Sequence, residues 1–188
     1  MKYSGEPTLF IIGDDTVVRE FATLHRGTKE TGKSQIGKNC LLMAYSHVPH
    51  DCEVGDNCII ANAVQIGGHS HIEDWVIIGG LAGLHQFSRV GEHSMIAGAA
   101  KITQDVPPFI LTSGDPAAYA GLNVIGLRRR GFKPEDIQIL KDVYGLIYNK
   151  SHNVSQAVKI IEEKFGDNVY AQKVLNFLSQ SKRGLVGK

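Results

Sequence analysis

Long apolar runs are missing from this sequence. No stretch of its 188 residues has the length a helix needs to cross a bilayer, and Met1 is not followed by a charged and then apolar leader. A cytoplasmic protein without membrane insertion is expected. An excess of one charge is missing too: the formal net charge is +1, so no global field points to nucleic acid and any basic patch must be local. Cysteine is scarce. Cys40, Cys52 and Cys58 all fall on the small position of a repeat, which gives each a packing reason to exist and argues for buried thiols, not for a disulfide framework or a zinc site.

What the sequence has in abundance is a period of six. From Ile36 through Leu42, Val48, Val54 and Ile60 to Ile102, every sixth residue is branched and aliphatic. Neither an α-helix nor an alternating strand has that period, so it marks a solenoid unit. Two residues before each aliphatic sits a small residue such as Ser34, Cys40, Ser46 or Ser70, with Val64 and Val76 the larger exceptions, and glycine often follows the aliphatic, as at Gly37 and Gly55. Those glycines are expected where the turning chain needs a permissive backbone. The pattern is that of a hexapeptide-repeat parallel β-helix.

Ile12, Val18 and Leu24 keep the same phase, which fails only at Glu30. Residues 25–35, polar and glycine-bearing, are therefore expected as a loop thrown out of the solenoid, where function often resides. The sequence divides into a repeat domain over residues 1–108, closed by Pro107 and Pro108, and a remainder over 109–188. In that remainder, residues 109–121 read as an irregular connector with Ser113-Gly-Asp-Pro116 as turn chemistry. Helices follow over about 122–130, from Pro134, over about 154–165 and over about 168–181.

If three hexads make one coil, residues 18 apart stack, and His47, His50, His69 and His85 gather near one corner within roughly 5 to 10 Å. Any one of them is as often an ordinary surface histidine. As a group they suit either a zinc site or general-base catalysis, with His50 taking a proton from a hydroxyl, Asp51 fixing its tautomer and Gly68 offering a backbone N–H to an oxyanion. Spacing alone leaves both open.

The strings His47-Val-Pro-His50-Asp51-Cys, Gly67-Gly-His69, His85-Gln-Phe87, Gln104-Asp-Val-Pro-Pro108 and the run from Gly121 to Phe132 resemble the bacterial acyl-[acyl carrier protein]:UDP-N-acetylglucosamine O-acyltransferases. The resemblance implies a left-handed parallel β-helix with a C-terminal helical domain, a homotrimer with sites between subunits, and the first step of lipid A biosynthesis. It implies transfer of a 3-hydroxyacyl chain from acyl carrier protein to the 3-hydroxyl of UDP-N-acetylglucosamine without cofactor or metal. His50 would be the base, Asp51 its partner and Gly68 the oxyanion donor. Lys2, His25, His47, His69, His85 and Gln86 would line sugar and acyl chain, and Asn123, Arg129 and Arg130 would hold the nucleotide. Gly98, with Met95, would set acyl-chain length, the glycine leaving room for a longer chain.

By the same resemblance the chain starts where the family's β-helix is already under way. An acidic sugar-contacting residue that precedes Lys2 in the family is absent, and a strand edge is left open at the first coil. Ile125 stands where relatives can carry an acidic residue near the uracil. N-acyl transfer to a UDP-3-amino sugar, acetyl transfer from coenzyme A, and a non-catalytic trimeric solenoid are the alternatives. An acidic carrier protein would need a local basic surface, for which Arg89, Arg128, Lys133 and Lys141 are the candidates.

Overall fold

The aliphatic hexads fold as their period demands. In a computed structural model that describes residues 4–151 and 153–187, each hexad contributes one short strand and one turn, and three hexads close one triangular coil. The strands are β1 (Leu9–Ile12), β2 (Val17–Val18), β3 (Thr23–Leu24), β4 (Lys33–Ile36), β5 (Leu41–Leu42), β6 (His47–Val48), β7 (Glu53–Val54), β8 (Ile59–Ile60) and β9 (Gln65–Ile66). They continue as β10 (His71–Ile72), β11 (Ile77–Ile78), β12 (Gly83–Leu84), β13 (Arg89–Val90), β14 (Met95–Ile96) and β15 (Lys101–Ile102). Every third strand pairs in parallel, giving three sheets: β1-β4-β7-β10-β13, then β2-β5-β8-β11-β14, then β3-β6-β9-β12-β15. The coil winds left-handed, against the crossover rule that most parallel strands obey.

Register confirms the 18-residue coil, since Gln35 pairs with Glu53 and Ile59 with Ile77. The first coil is longer. Ile12 pairs with Ile36, 24 residues on, so one hexad has been extruded and the strands rejoin in phase. The extruded loop is shorter than expected, because Lys33 to Gln35 already belong to β4.

Burial follows the pattern. Leu42, Val48, Ile60, Ile78, Val90, Ile96 and Ile102 are fully inaccessible, and the small residues Ser34, Cys52, Ser70 and Ser88 fit beside them. Ile12 and Val18, in the same phase, remain 44% and 41% exposed on the outermost coil. The three cysteines are buried free thiols, and burial pushes Cys52 up to about 11.

The turn chemistry differs from the expectation. Every sixth residue from Asn39 to Ala99 has a φ between 54° and 64°, and none of them is glycine. Hydrogen bonding to the adjacent coil holds these residues there: the N–H of His69, for instance, donates to the His50 carbonyl. The hexad glycines serve close approach instead, since a Cβ on Gly37 would lie 2.7 Å from the Gly55 carbonyl carbon.

Residues 109–121 are not irregular. They form a hairpin of β16 (Ile110–Gly114) and β17 (Ala117–Leu122), and β16 extends the second sheet by pairing in parallel with β14. Helices α1 (Val124–Arg129), α2 (Pro134–Ile147), α3 (Val154–Phe165) and α4 (Val169–Gln180) follow. Asn123 caps α1, and Gly131 ends it with φ 81°. Buried Tyr144 of α2 ties the helices to the coil by donating to the Pro108 carbonyl at 2.6 Å. Among the described residues, no helix is long and apolar enough to cross a membrane.

Candidate active site

His50 lies on the turn between β6 and β7, at the edge where the third sheet passes into the first. Its Nδ1 is 2.8 Å from Asp51 Oδ2, and its side chain is 42% exposed while that of Asp51 is fully buried. The imidazole therefore faces solvent on one side and an anion on the other. Asp51 Oδ1 accepts the Thr28 N–H at 2.8 Å and the Thr31 hydroxyl, and Oδ2 accepts the Thr28 hydroxyl at 2.8 Å. The Asp51 N–H donates to Ser34 Oγ at 2.8 Å. Burial alone would raise the carboxyl's pKa, but the hydrogen bonds from Thr31, His50 and Thr28 outweigh it and hold Asp51 well below the usual carboxylate range. An ionised acceptor at Oδ2 fixes the proton on His50 Nδ1 and leaves Nε2 with a lone pair.

His69, one coil along, brings its Nε2 to 3.6 Å from Asp51 Oδ2 and 3.8 Å from Glu30 Oε2, and its ring meets that of His50 edge-on with centroids 5.1 Å apart. Phe87 stacks on the His69 ring with centroids 4.7 Å apart. Gly68 sits directly beneath His50: a Cβ there would come 2.8 Å from Cε1 and 2.9 Å from Nε2 of the ring. The ligand atoms of His50, Asp51 and His69 fall within 4.8 Å of one another, a spacing that a metal ion could bridge. The donors already on both oxygens of Asp51 point to hydrogen bonding as the use the group is put to.

Ring contacts join histidines at this corner in pairs. His50 pairs with His69, whereas His47 pairs with His25, their rings 4.9 Å apart, and accepts or donates at Thr23 Oγ1 over 2.7 Å. Burial, then the nearby His25 and His50, lower the pKa of His47. His85 donates through Nδ1 to the Gln86 carbonyl at 2.9 Å, and both residues are exposed. Lys2 lies outside the described residues.

Other candidates occupy other edges of the prism. Met95 and exposed Gly98 flank the turn between the second and third sheets, where a Cβ on Gly98 would meet the Gly80 carbonyl oxygen at 3.2 Å. Asn123, Arg129 and Arg130 lie near the edge between the first and second. There Asn123 Nδ2 donates to the His93 carbonyl while its Oδ1 accepts from Gly126, and Arg130 donates to His93 Nδ1 at 3.2 Å and lies 5.2 Å over the Trp75 ring. Arg129 is exposed. Arg89 is no part of a free basic surface, because it pairs with Glu73 at 3.3 Å and lies over the Phe177 ring, joining the solenoid to α4. Arg128, Lys133, Lys141 and Ile125 are exposed.

Thr28 and Thr31 were not singled out by sequence reasoning, and Ser34 was noted only as a small residue of the hexad. The available signal was the single failure of the hexad at Glu30, which marks an inserted loop but not the residues in it that matter.

Comparison with known proteins agrees with this architecture. A profile described as "Udp N-acetylglucosamine O-acyltransferase; Domain 2" matches residues 105–186, and one for the bacterial transferase hexapeptide matches residues 33–68. The acyl-[acyl-carrier-protein]–UDP-N-acetylglucosamine O-acyltransferase of Burkholderia mallei is 44% identical over 99% of this chain and 73% of its own length. Among solved structures, the UDP-N-acetylglucosamine acyltransferase of Francisella novicida superposes with a TM-score of 0.96 at 35% identity, over 100% of this chain and 69% of that one. The UDP-N-acetylglucosamine O-acyltransferase of Moraxella catarrhalis superposes with 0.94 at 39% identity, over 99% and 73%.

Proposed function

We propose, because this chain belongs to the UDP-N-acetylglucosamine O-acyltransferase family, that its His50 is the general base of acyl transfer from acyl carrier protein to UDP-N-acetylglucosamine. That transfer is the first step of lipid A biosynthesis. The carrying observation is the 2.8 Å contact of His50 Nδ1 with a buried Asp51 whose oxygens already hold threonine donors. His50 Nε2 takes the proton of the sugar 3-hydroxyl as its oxygen attacks the thioester carbon of a 3-hydroxyacyl carrier protein. The Gly68 N–H receives the oxyanion. Collapse breaks the carbon–sulfur bond, and the proton on Nε2 passes to the departing thiolate, so His50 ends as it began. No covalent enzyme intermediate is needed.

His25, His47, His69, His85 and Gln86 line sugar and acyl chain in this reading, Arg129 and Arg130 face the nucleotide phosphates, and Gly98 with Met95 bounds the acyl chain. Asn123 acts on the nucleotide chiefly by setting the start of α1. Because these groups lie on three different edges of one prism, a homotrimer that brings the edges of neighbouring copies together would gather them into one site. The second part of the chain, residues 109–188 with the connecting hairpin and the helices, then covers the coil end beside the nucleotide.

The test is product chemistry. UDP-N-acetylglucosamine and the corresponding UDP-3-amino sugar are each offered with 3-hydroxyacyl carrier protein or with acyl coenzyme A. An alkali-labile ester formed only from the first sugar and the carrier protein is expected. An alkali-stable amide would turn the reading to N-acyl transfer, and no product from folded trimer would favour a non-catalytic solenoid.

A further inference from the structure

Asp51 is buried and ionised, and apart from His50 the donors to its carboxylate come from one place. The loop over residues 25–32 replaces a whole hexad between β3 and β4, and although most of its residues are exposed it folds back on the coil. It turns back beneath the His50 edge and delivers three donors to a single carboxylate: the Thr28 N–H and Thr31 hydroxyl to Oδ1, and the Thr28 hydroxyl to Oδ2. The return is tightly built. A Cβ on Gly27 would lie 2.3 Å from the Lys33 nitrogen, so only glycine lets the loop close on β4, and the Gly32 N–H bonds back to the Thr28 carbonyl at 2.8 Å. The Thr31 hydroxyl also lies 2.9 Å from the Lys33 carbonyl, but a charged acceptor makes the stronger bond, so its one proton goes to Asp51.

We propose that Thr28 and Thr31 are positioning residues for acyl transfer: the extruded loop exists to occupy three of the four acceptor sites of Asp51, leaving the fourth for His50 Nδ1–H alone. A carboxylate has about four lone-pair sites. With three taken, Asp51 orients the imidazole through a single bond at Nδ1 and leaves the Nε2 lone pair turned to substrate. This rests on the reading of His50 as the base.

The charged and titratable groups facing the pair are His69 from the next coil, Glu30 from the loop, and His47 with His25 beside it. None of them changes when the threonines do. Removing hydroxyl donors concentrates the charge of Asp51 on the bond to His50 and favours the imidazolium. The acidic limb of the rate profile, below which the base is protonated, must then move to higher pH.

The experiment compares parent, Thr28→Val, Thr31→Val and the double variant with Thr28→Ser and Thr31→Ser. For each, the pH profile of kcat and the KM for UDP-N-acetylglucosamine are measured, and the His50 imidazole is titrated by nitrogen NMR. The valine variants are expected to lose about tenfold in kcat, a fraction of the 10² to 10⁴ that a general base contributes. KM should hold, and both the acidic limb and the NMR titration of His50 should rise by roughly half a unit or more. The serine variants should recover kcat and limb. An unmoved limb and unmoved His50 titration would overturn the proposal, as would a loss shared by the serine variants. If the double variant does not fold, the single variants decide in the same way. If His50→Ala keeps its turnover, the reading of His50 as base fails, and the NMR titration still decides whether the threonines act on its imidazole.

Discussion

Gly68 shows how much a single missing side chain can matter. Its absent Cβ leaves the volume that the His50 ring fills, so Gly68→Ala must turn the imidazole away from Asp51 or shift the coil. The ring, half in solvent, is the part that yields. Gly68→Ala should therefore lower kcat by about tenfold or more with little change in melting temperature, a split that enzyme assay and calorimetry on the same sample will read. Asp51 carries a pH signature as well. Its folded pKa lies below the ordinary value of roughly 4, so the stability lent by its ionised form is complete above that value and drains away as pH falls beneath it toward the folded pKa. The melting temperature of Asp51→Asn should accordingly trail the parent's at pH 7, and the gap should narrow below about pH 4. His50, Asp51 and Gly68 were legible in the sequence because His50 and Asp51 are neighbours and Gly68 lies one 18-residue coil beyond His50. Thr28 and Thr31 lie 23 and 20 residues before Asp51, a separation that the 18-residue count cannot reach across an extruded loop.

At the level of elements, the junction between solenoid and helices is the feature that stability depends on. Tyr144 of α2 is fully buried with its hydroxyl on the Pro108 carbonyl, so Tyr144→Phe strands that acceptor and should cost about 1–2 kcal/mol in denaturant titration. His93 joins the same parts, lying between Trp75 and Phe109 with Phe132 at its edge and Arg130 bonded to Nδ1. Burial first, then the charges of Arg130 and Lys173, push it down to about 4. The unfolded chain then binds the extra proton between pH 6.5 and about 4, so stability should fall as pH drops through that window and level off below it. His93→Phe, which cannot take up a proton, should flatten that slope in thermal melts. The repeat, the four helices and the extruded loop could be read from period and capping residues. The hairpin could not, because β16 joins β14 with an offset of 16 residues, from Met95 to Leu111, which is out of hexad phase and follows two prolines. The left-handed corners were hidden for a different reason: coil-to-coil bonds, not glycine, impose them on residues as large as Trp75 and Phe87.

For the whole molecule, a net charge of +1 conceals a local asymmetry, with Arg128, Lys133 and Lys141 exposed on the helical part. Carrier proteins are acidic, and exposed charges at a transient interface act mainly on association. Reversing Arg128 and Lys133 together should raise the KM for acyl carrier protein, flatten its salt dependence and leave the KM for the sugar nucleotide much less changed. A parent enzyme whose KM for the carrier does not respond to salt would place recognition in the acyl-pantetheine arm instead. The trimer is a further expectation at this scale, to be checked by sedimentation, since candidate groups spread over three edges have no common site within one copy. All of this depends on one residue being the base. The direct measurement is turnover of UDP-N-acetylglucosamine with 3-hydroxyacyl carrier protein by parent and His50→Ala, each first shown by sedimentation and circular dichroism to keep its assembly and fold. A fall of about 10² to 10⁴ in kcat is the predicted result, and activity within about tenfold of the parent would contradict the account.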